Sequence, residues 1–185
     1  MLIWFSADYH LSHGNIIKYC HRPFTNAEEM DKVILDNLEN SIKPGDVLYY
    51  LGDLTFKMNK AMEFFERFNQ IEIHYIIGNH DSNKVIDVAK KWCASVSRLK
   101  DISIDGQPIT LCHYAMRVWN KSHFNAWQLY GHSHATLDPM GKQYDVGVDN
   151  NEFLPVSFDE LKEIMKNRPS NVNHIPPENR SERQI

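Results

Sequence analysis

Apolar residues fall along this chain in short blocks of two kinds. LIWFSA (2–7), DVLYYL (46–51) and EIHYII (72–77) are compact apolar and aromatic runs of strand length. Between them the period lengthens to that of a helix. Met30, Val33, Ile34, Leu35 and Leu38 form one apolar face of a helix that the sequence opens at Thr25, with Glu28 completing a capping box. NKAMEFFERFN (59–69) is amphipathic at the same period, and Ser82 caps a further helix running to about Lys91. The pair Pro44-Gly45 marks a turn, and Asp105-Gly106 predicts a hairpin between DISI and PITLC. AWQLY (126–130), YDVGV and EFLPV (near 144–156) read as later strands, and Ser157 with Glu160 caps a last helix, FDELKEIMK. The alternation predicts an α/β domain over residues 1–168. The polar, proline-containing stretch 169–185 has no apolar period and is expected to be a mobile tail. No internal repeat or linker divides the domain.

A chain of 185 residues, 42% hydrophobic and 24% charged, is long enough and apolar enough to bury one substantial core. A net charge of −4 provides no broad basic field for long nucleic acid, so nucleic acid is a possible but not a favoured partner. The longest apolar runs are strand-sized, and the start MLIWFSADYH lacks the basic and small-residue features of a signal peptide, so we expect no membrane span and a cytoplasmic location. The three cysteines, Cys20, Cys93 and Cys112, are far apart and form no CxxC, which suits free thiols in a reducing compartment and argues against a disulfide framework or thiolate zinc.

The chemistry concentrates where the strands stop. Asp8-x-His10, Gly52-Asp53, Gly78-Asn79-His80-Asp81, Cys112-His113 and Gly131-His132-x-His134 each follow an apolar run. Ligand sites in α/β sheets lie just beyond strand ends, so strands running the same way would gather these clusters. Taken singly, each has an ordinary explanation, such as an Asx-turn or two polar residues in a turn; in extended backbone His132 and His134 would share a face. Together they offer Asp8, His10, Asp53, Asn79, His113, His132 and His134 as metal ligands. Seven groups are too many for one tetrahedral zinc and suit two divalent ions about 3.5–4 Å apart that share a carboxylate. Oxygen and nitrogen donors favour Mn, Fe, Zn or Ni over copper(I). Two such ions, two aspartates and one hydroxide leave a single positive charge, which one phosphodiester anion would neutralise.

The order D-x-H, GD, GNHD, H, GHSH resembles the calcineurin-like metallophosphoesterase family. The stretches DYHLSHGNII, YGHSH and VGVD are most similar to its small, stand-alone bacterial and phage members. The resemblance implies a four-layer αββα sandwich, with two mixed β-sheets face to face and helices outside. It also implies ligand roles: Asp8, His10 and His134 for one metal, Asn79, His113 and His132 for the other, and Asp53 bridging both. The two histidines of GHSH would then serve different metals. His80 matches the family's histidine beside the leaving group. One departure stands out: the second motif often continues as GD-x-x-D, whereas here Phe56 occupies the last place.

The expected activity is hydrolysis of a small phosphate ester, most simply a phosphodiester or nucleotide, by a hydroxide held between the metals, with His80 as acid to the departing alkoxide. A phosphomonoesterase, a nuclease and a non-catalytic metal-binding module are the alternatives. Arg22, His13 and Arg117 are candidates for holding the substrate phosphate. Asn15 lies in the same first loop as His13 and Arg22, and His123 follows His113 as Arg117 does. Trp119 and Phe124 would either wall a pocket or pack in the core, and Asp81 would either hold its loop or start a helix.

Overall fold

The computed structural model describes residues 1–182. Its elements in chain order are β1 (Ile3–Ser6), α1 (Gly14–Tyr19), α2 (Ala27–Ser41), β2 (Val47–Tyr50), α3 (Met58–Arg67), β3 (Glu72–Ile76), α4 (Asn83–Trp92), β4 (Ser95–Ser97), β5 (Leu99–Ile104), β6 (Gln107–Cys112), β7 (Trp127–Tyr130), β8 (Gln143–Asp145), β9 (Val156–Ser157) and α5 (Phe158–Lys166). They form two mixed sheets. One has the order β4-β3-β2-β1-β9, parallel except for β9, and the other the order β5-β6-β7-β8, in which only the β5–β6 hairpin is antiparallel.

Two apolar clusters show how the layers stack. Met30, Ile34 and Leu38 of α2, Phe64 and Phe65 of α3, and Val85 and Val88 of α4 cover Leu48, Tyr50, Ile73 and Tyr75 on one face of the first sheet. Phe5, Leu51 and Ile76 on its other face meet Ile109, Leu111, Trp127 and Leu129 of the second sheet, with Phe158 and Leu161 of α5 closing the edge. The two sheets therefore lie face to face with helices outside. The second sheet's outer face is covered differently. Gln128, between the inward Trp127 and Leu129, bonds Tyr114, Met116 and Gln143, so the irregular segment 113–126 lies over it instead of an α-helix.

Most expected elements form, with local corrections. The α2 cap is Asn26, whose side chain accepts from the Glu29 amide, while Thr25 donates to the Glu29 carboxylate; the box sits one residue later than the sequence predicts. Ser82 and Ser157 cap as expected, the latter in a full capping box with Glu160. EFLPV is mostly a turn after the short helix Val148–Asn150, and only Val156–Ser157 pairs, with β1. Within the described part of the expected tail, Asn171, Ile175 and Arg180 meet the domain. Asn171 is buried and its amide donates to the Ser122 and Ala126 carbonyls, the Ile175 amide donates to the His123 carbonyl, and Arg180 lies 4.9 Å over the Phe124 ring. Lone polar side chains gave the sequence no period to reveal this docking. Residues 183–185 of that expectation lie outside the described residues.

Candidate metal centre

Parallel pairing brings the strand ends together. β1 leads to Asp8 and His10, β2 to Asp53, β3 to Asn79 and His80, β6 to His113, and β7 to His132 and His134. Bonding continues past the strands: the Asp8 amide donates to the Gly52 carbonyl, the His10 amide to Asp53, and the Gly131 amide to His113. Ala7 forms a bridge with Gly147, tying the end of β1 to the segment that follows β8. The site thus lies on the seam between the sheets.

The backbone there is unusual. Asp8, His10, Asp53, His132 and His134 have φ of 63°, 50°, 59°, 67° and 46°. Each such non-glycine residue costs about 1–2 kcal/mol and persists only where the surroundings over-determine it. These values correct the expectation for GHSH: β7 stops at Tyr130, and the histidines sit in a left-handed turn, not on one face of extended backbone. The motif glycines supply room. A Cβ on Gly131 would lie 2.5 Å from Asp8 Oδ2, and one on Gly78 would collide with the Asp53 carboxylate.

Among the described residues, potential ligand atoms gather in two groups at the strand ends, Asp8 with His10 and His134, and Asp53 with His113 and His132, and a third, Cys20 with Asp149, shares His134; within each they lie within 4.8 Å of one another. Asp53 Oδ2 lies between the groups, 3.7 Å from His10 Nε2 and 3.3 Å from His113 Nε2. Asn79 Oδ1 is 3.0 Å from His113 Nε2. The structure therefore brings all seven sequence candidates to one place, and separates His132 from His134.

The donor set fits divalent cations. Among the described residues, Asp8 Oδ1, His10 Nε2 and Asp53 Oδ2 are buried polar atoms without a hydrogen-bond partner, a costly arrangement unless a cation meets them. His113 Nδ1 is 2.7 Å from the Leu51 carbonyl and must donate to it, so a neutral His113 aims its Nε2 lone pair at two oxygens. Only a proton or a metal resolves that contact. Burial alone would pull the His113 imidazolium down, but the neighbouring Asp53 and Asp8 carboxylates outweigh it and hold it up at about 9. Burial pushes the Asp8 carboxyl up to about 7 and pulls the His10 imidazolium down to about 3.

A surrounding shell orients these groups. Asp8 Oδ2 accepts from the His132 amide at 2.8 Å, and Asp53 Oδ1 accepts from the His80 amide at 2.8 Å. Asp81 is buried and accepts from the amides of Gly78, Asp53 and Leu54 and from the Tyr75 hydroxyl; it holds both motif loops, while Ser82 caps the helix. Asp149 accepts from His134 Nδ1 at 2.7 Å, which leaves the Nε2 lone pair free to meet a cation. The sequence reading assigned no role to Asp149; its signal was the final acid of VGVD. Cys20 also lies near His134 and Asp149, and in the metal-free chain burial pushes its thiol up to about 11.

The substrate candidates separate. Arg22 is buried and committed: its guanidinium donates to both Asp149 oxygens, to the Asp8 and Tyr9 carbonyls and to the Met30 sulfur, so it braces the site and has no donor left for a phosphate. Arg117 is exposed on the segment 113–126 with its guanidinium 3.6 Å from the Met140 sulfur, and among the described residues nothing ties it to the centre. His13 stands at the rim, its ring 5.8 Å from that of His10. His80 is exposed, its ring 5.5 Å from that of His10. Trp119 donates to the Ala126 carbonyl, and Phe124, 43% exposed, lies against His123 and Arg180; neither belongs to the two apolar clusters or lies at the centre.

Residues 1–146 match the family model of the calcineurin-like phosphoesterase superfamily domain. The chain belongs to this superfamily. A calcineurin-like phosphoesterase is a metal-dependent phosphoester hydrolase, and the ligand groups above are its metal-binding candidates. The chain is similar to an uncharacterized protein of Methanocaldococcus jannaschii, with 33% identity over 174 residues that cover 89% of this chain and 91% of the relative. It is also similar to the crystal structure of a protein of unknown function from Aquifex aeolicus, at 25% identity and a TM-score of 0.70, covering 88% of this chain and 98% of that one. No helix among the described residues is long and apolar enough to cross a membrane.

Proposed function

We propose that this phosphoesterase is a dinuclear phosphodiesterase acting on a small diester or nucleotide. Asp8, His10 and His134 would hold one divalent ion, Asn79, His113 and His132 the other, and Asp53 both. The observation that carries the reading is the position of Asp53 Oδ2, buried, without a hydrogen bond and between His10 Nε2 and His113 Nε2 at 3.7 and 3.3 Å. When bound, the ions would lower the pKa of water and neutralise the phosphoryl oxygens. Mn, Fe, Zn and Ni all suit the oxygen and nitrogen donors. The ligands contribute only two negative charges, so the loaded site keeps a positive excess suited to one phosphodiester anion.

The chain's own groups supply the rest. Asp149 and the Leu51 carbonyl fix the tautomers of His134 and His113 through their Nδ1 atoms. His80, exposed beside His10 and tied through its amide to Asp53, gives a proton to the departing oxygen. Three free cysteines support a reducing, cytoplasmic setting.

The test is metal analysis together with turnover of matched aryl diesters, monoesters and an oligonucleotide by metal-loaded protein. Two equivalents of metal and a higher kcat/KM for the diester support the proposal. A monoester preference makes the protein a phosphatase, preference for the oligonucleotide makes it a nuclease, and metal uptake without turnover of any ester leaves a binding module.

A further inference from the structure

Phe56 ends the run Asp53-Leu54-Thr55-Phe56 that leaves β2, and the residue is 44% exposed at the edge of the metal centre. Three imidazoles stand around it. His13 and His80 meet it at 4.9 and 5.2 Å between ring centroids with interplanar angles of 81° and 82°, and His10 is 6.4 Å away. Two of these contacts are edge-on, and among the described residues no ring is stacked parallel on Phe56. Tyr19, 69% exposed, continues the same shelf beyond His13. An exposed phenyl ring gives up hydrophobic stabilisation in the free protein, and a flat group laid on it recovers that loss.

His80 decides which part of a substrate arrives there. In hydrolysis the oxygen of water bonds to phosphorus and gives up a proton to solvent, the bond from phosphorus to the leaving oxygen breaks with its electron pair passing to that oxygen, and a proton goes from His80 to it. The group carrying the leaving oxygen must therefore lie on the His80 side, against Phe56. An open shelf of rings suits a flat heteroaromatic group better than an acyl chain, which needs an enclosed apolar groove. We infer that Phe56 is a specificity-determining residue that stacks a nucleobase on the leaving alcohol of the substrate. The inference rests on the phosphodiesterase reading above and names the substrate class of that site: a diester whose leaving group is a nucleoside.

The experiment compares two diesters on metal-loaded protein: the methyl diester of adenosine 5′-phosphate and the same diester of a base-free methyl riboside. Their leaving alcohols are chemically alike and differ in the base. Release of nucleoside or sugar is measured for the wild type, Phe56→Leu and Phe56→Trp. The wild type is expected to favour the nucleoside ester in kcat/KM by about 5- to 150-fold, the range of base stacking on an aromatic side chain. Phe56→Leu brings this ratio close to one, and Phe56→Trp retains it. Saturation-transfer NMR with adenosine should show magnetisation reaching the base protons from wild type and not from Phe56→Leu, independently of turnover.

A wild-type ratio near one overturns the inference. So does a Phe56→Leu loss that falls equally on both esters, because that is a packing effect on the histidines. Metal-dependent hydrolysis of bis(p-nitrophenyl) phosphate separates the two levels. If that diester turns over while the base ratio is one, the role of Phe56 alone is rejected; if no diester turns over, the phosphodiesterase reading fails and the inference falls with it.

Discussion

Arg22 and Asp149 meet in a two-pronged buried ion pair, Nε to Oδ1 at 2.7 Å and Nη2 to Oδ2 at 2.8 Å, across 127 positions of the chain. The same Asp149 carboxylate holds His134, and the same guanidinium holds the carbonyl of Asp8. Removing one partner strands a buried charge. Arg22→Leu should therefore destabilise the chain by about 3–5 kcal/mol in urea titration. Asp149→Asn keeps the shape and loses the charge; metal affinity at the His134 site should fall about 10–100-fold by competition titration. An Arg22→Leu variant of wild-type stability would show that the pair contributes nothing.

Asp53→Ala should disturb both metal equivalents, because its Oδ2 lies between the two groups. Metal analysis after reconstitution checks this, and one tight equivalent surviving the change would exclude the shared-carboxylate arrangement.

His80 completes neither group of ligand atoms, so His80→Ala should leave the metal content nearly intact. A nitrophenolate departs without a proton and should be released at nearly the wild-type rate. An alkyl ester should lose about 10²–10⁴-fold. Equal losses for both esters, with both metals present, would assign His80 to binding the phosphoryl group.

The metal-free chain should lose stability as pH rises from about 6.5 to 9. The folded His113 keeps its proton to about 9 against an ordinary value of 6.5, so over that window the folded state binds more protons than the unfolded one. Its contribution is complete below 6.5 and gone above 9. Asp8, raised to about 7, and His10, lowered to about 3, act mainly below this window and in opposite directions. Cys20 and Cys93, raised to about 11 and 12, steepen the fall only near and above their ordinary value of 9.0. Metal must displace the His113 proton, so metal affinity should rise over the same range. Thermal melts of metal-free wild type and His113→Gln check the sign: the variant should show a flatter profile between pH 6.5 and 9.

Gly78→Ala and Gly131→Ala should each impair metal retention, because the added methyl would collide with the Asp53 carboxylate in the first and lie 2.5 Å from Asp8 Oδ2 in the second. Gly14→Ala is the control, since a Cβ there meets nothing within 4 Å. Equal metal content in all three variants would mean that the carboxylates have room to move.

The ligand cluster was legible because each metal candidate follows an apolar run, and strand ends are easily read from hydrophobic blocks. Arg22 was misread because sequence shows a charge without its partner; Asp149 lies 127 positions away. The pairing of the histidines of GHSH was not readable from alternation, since left-handed φ at both positions breaks the two-residue period. Phe56 could be seen as a departure from the family motif, but its place among three imidazoles needed the fold. The docked stretch after Arg168 escaped because Asn171 fastens it through single polar contacts that leave no hydrophobic pattern.

The position of the centre on the seam has a mechanical consequence. One set of donors, Asp8, His10, Asp53 and Asn79, comes from the first sheet's strand ends, and the other, His113, His132 and His134, from the second's. Any ion held by Asp8 and His134 closes a loop of more than a hundred residues, as a long-range cross-link would. Loading the metal is thus also a clasp between the two halves of the chain, added to the shared apolar core, the β1–β9 pairing and the Arg22–Asp149 pair, so a chain nicked between β3 and β6 should need more urea to come apart into fragments when loaded than when stripped.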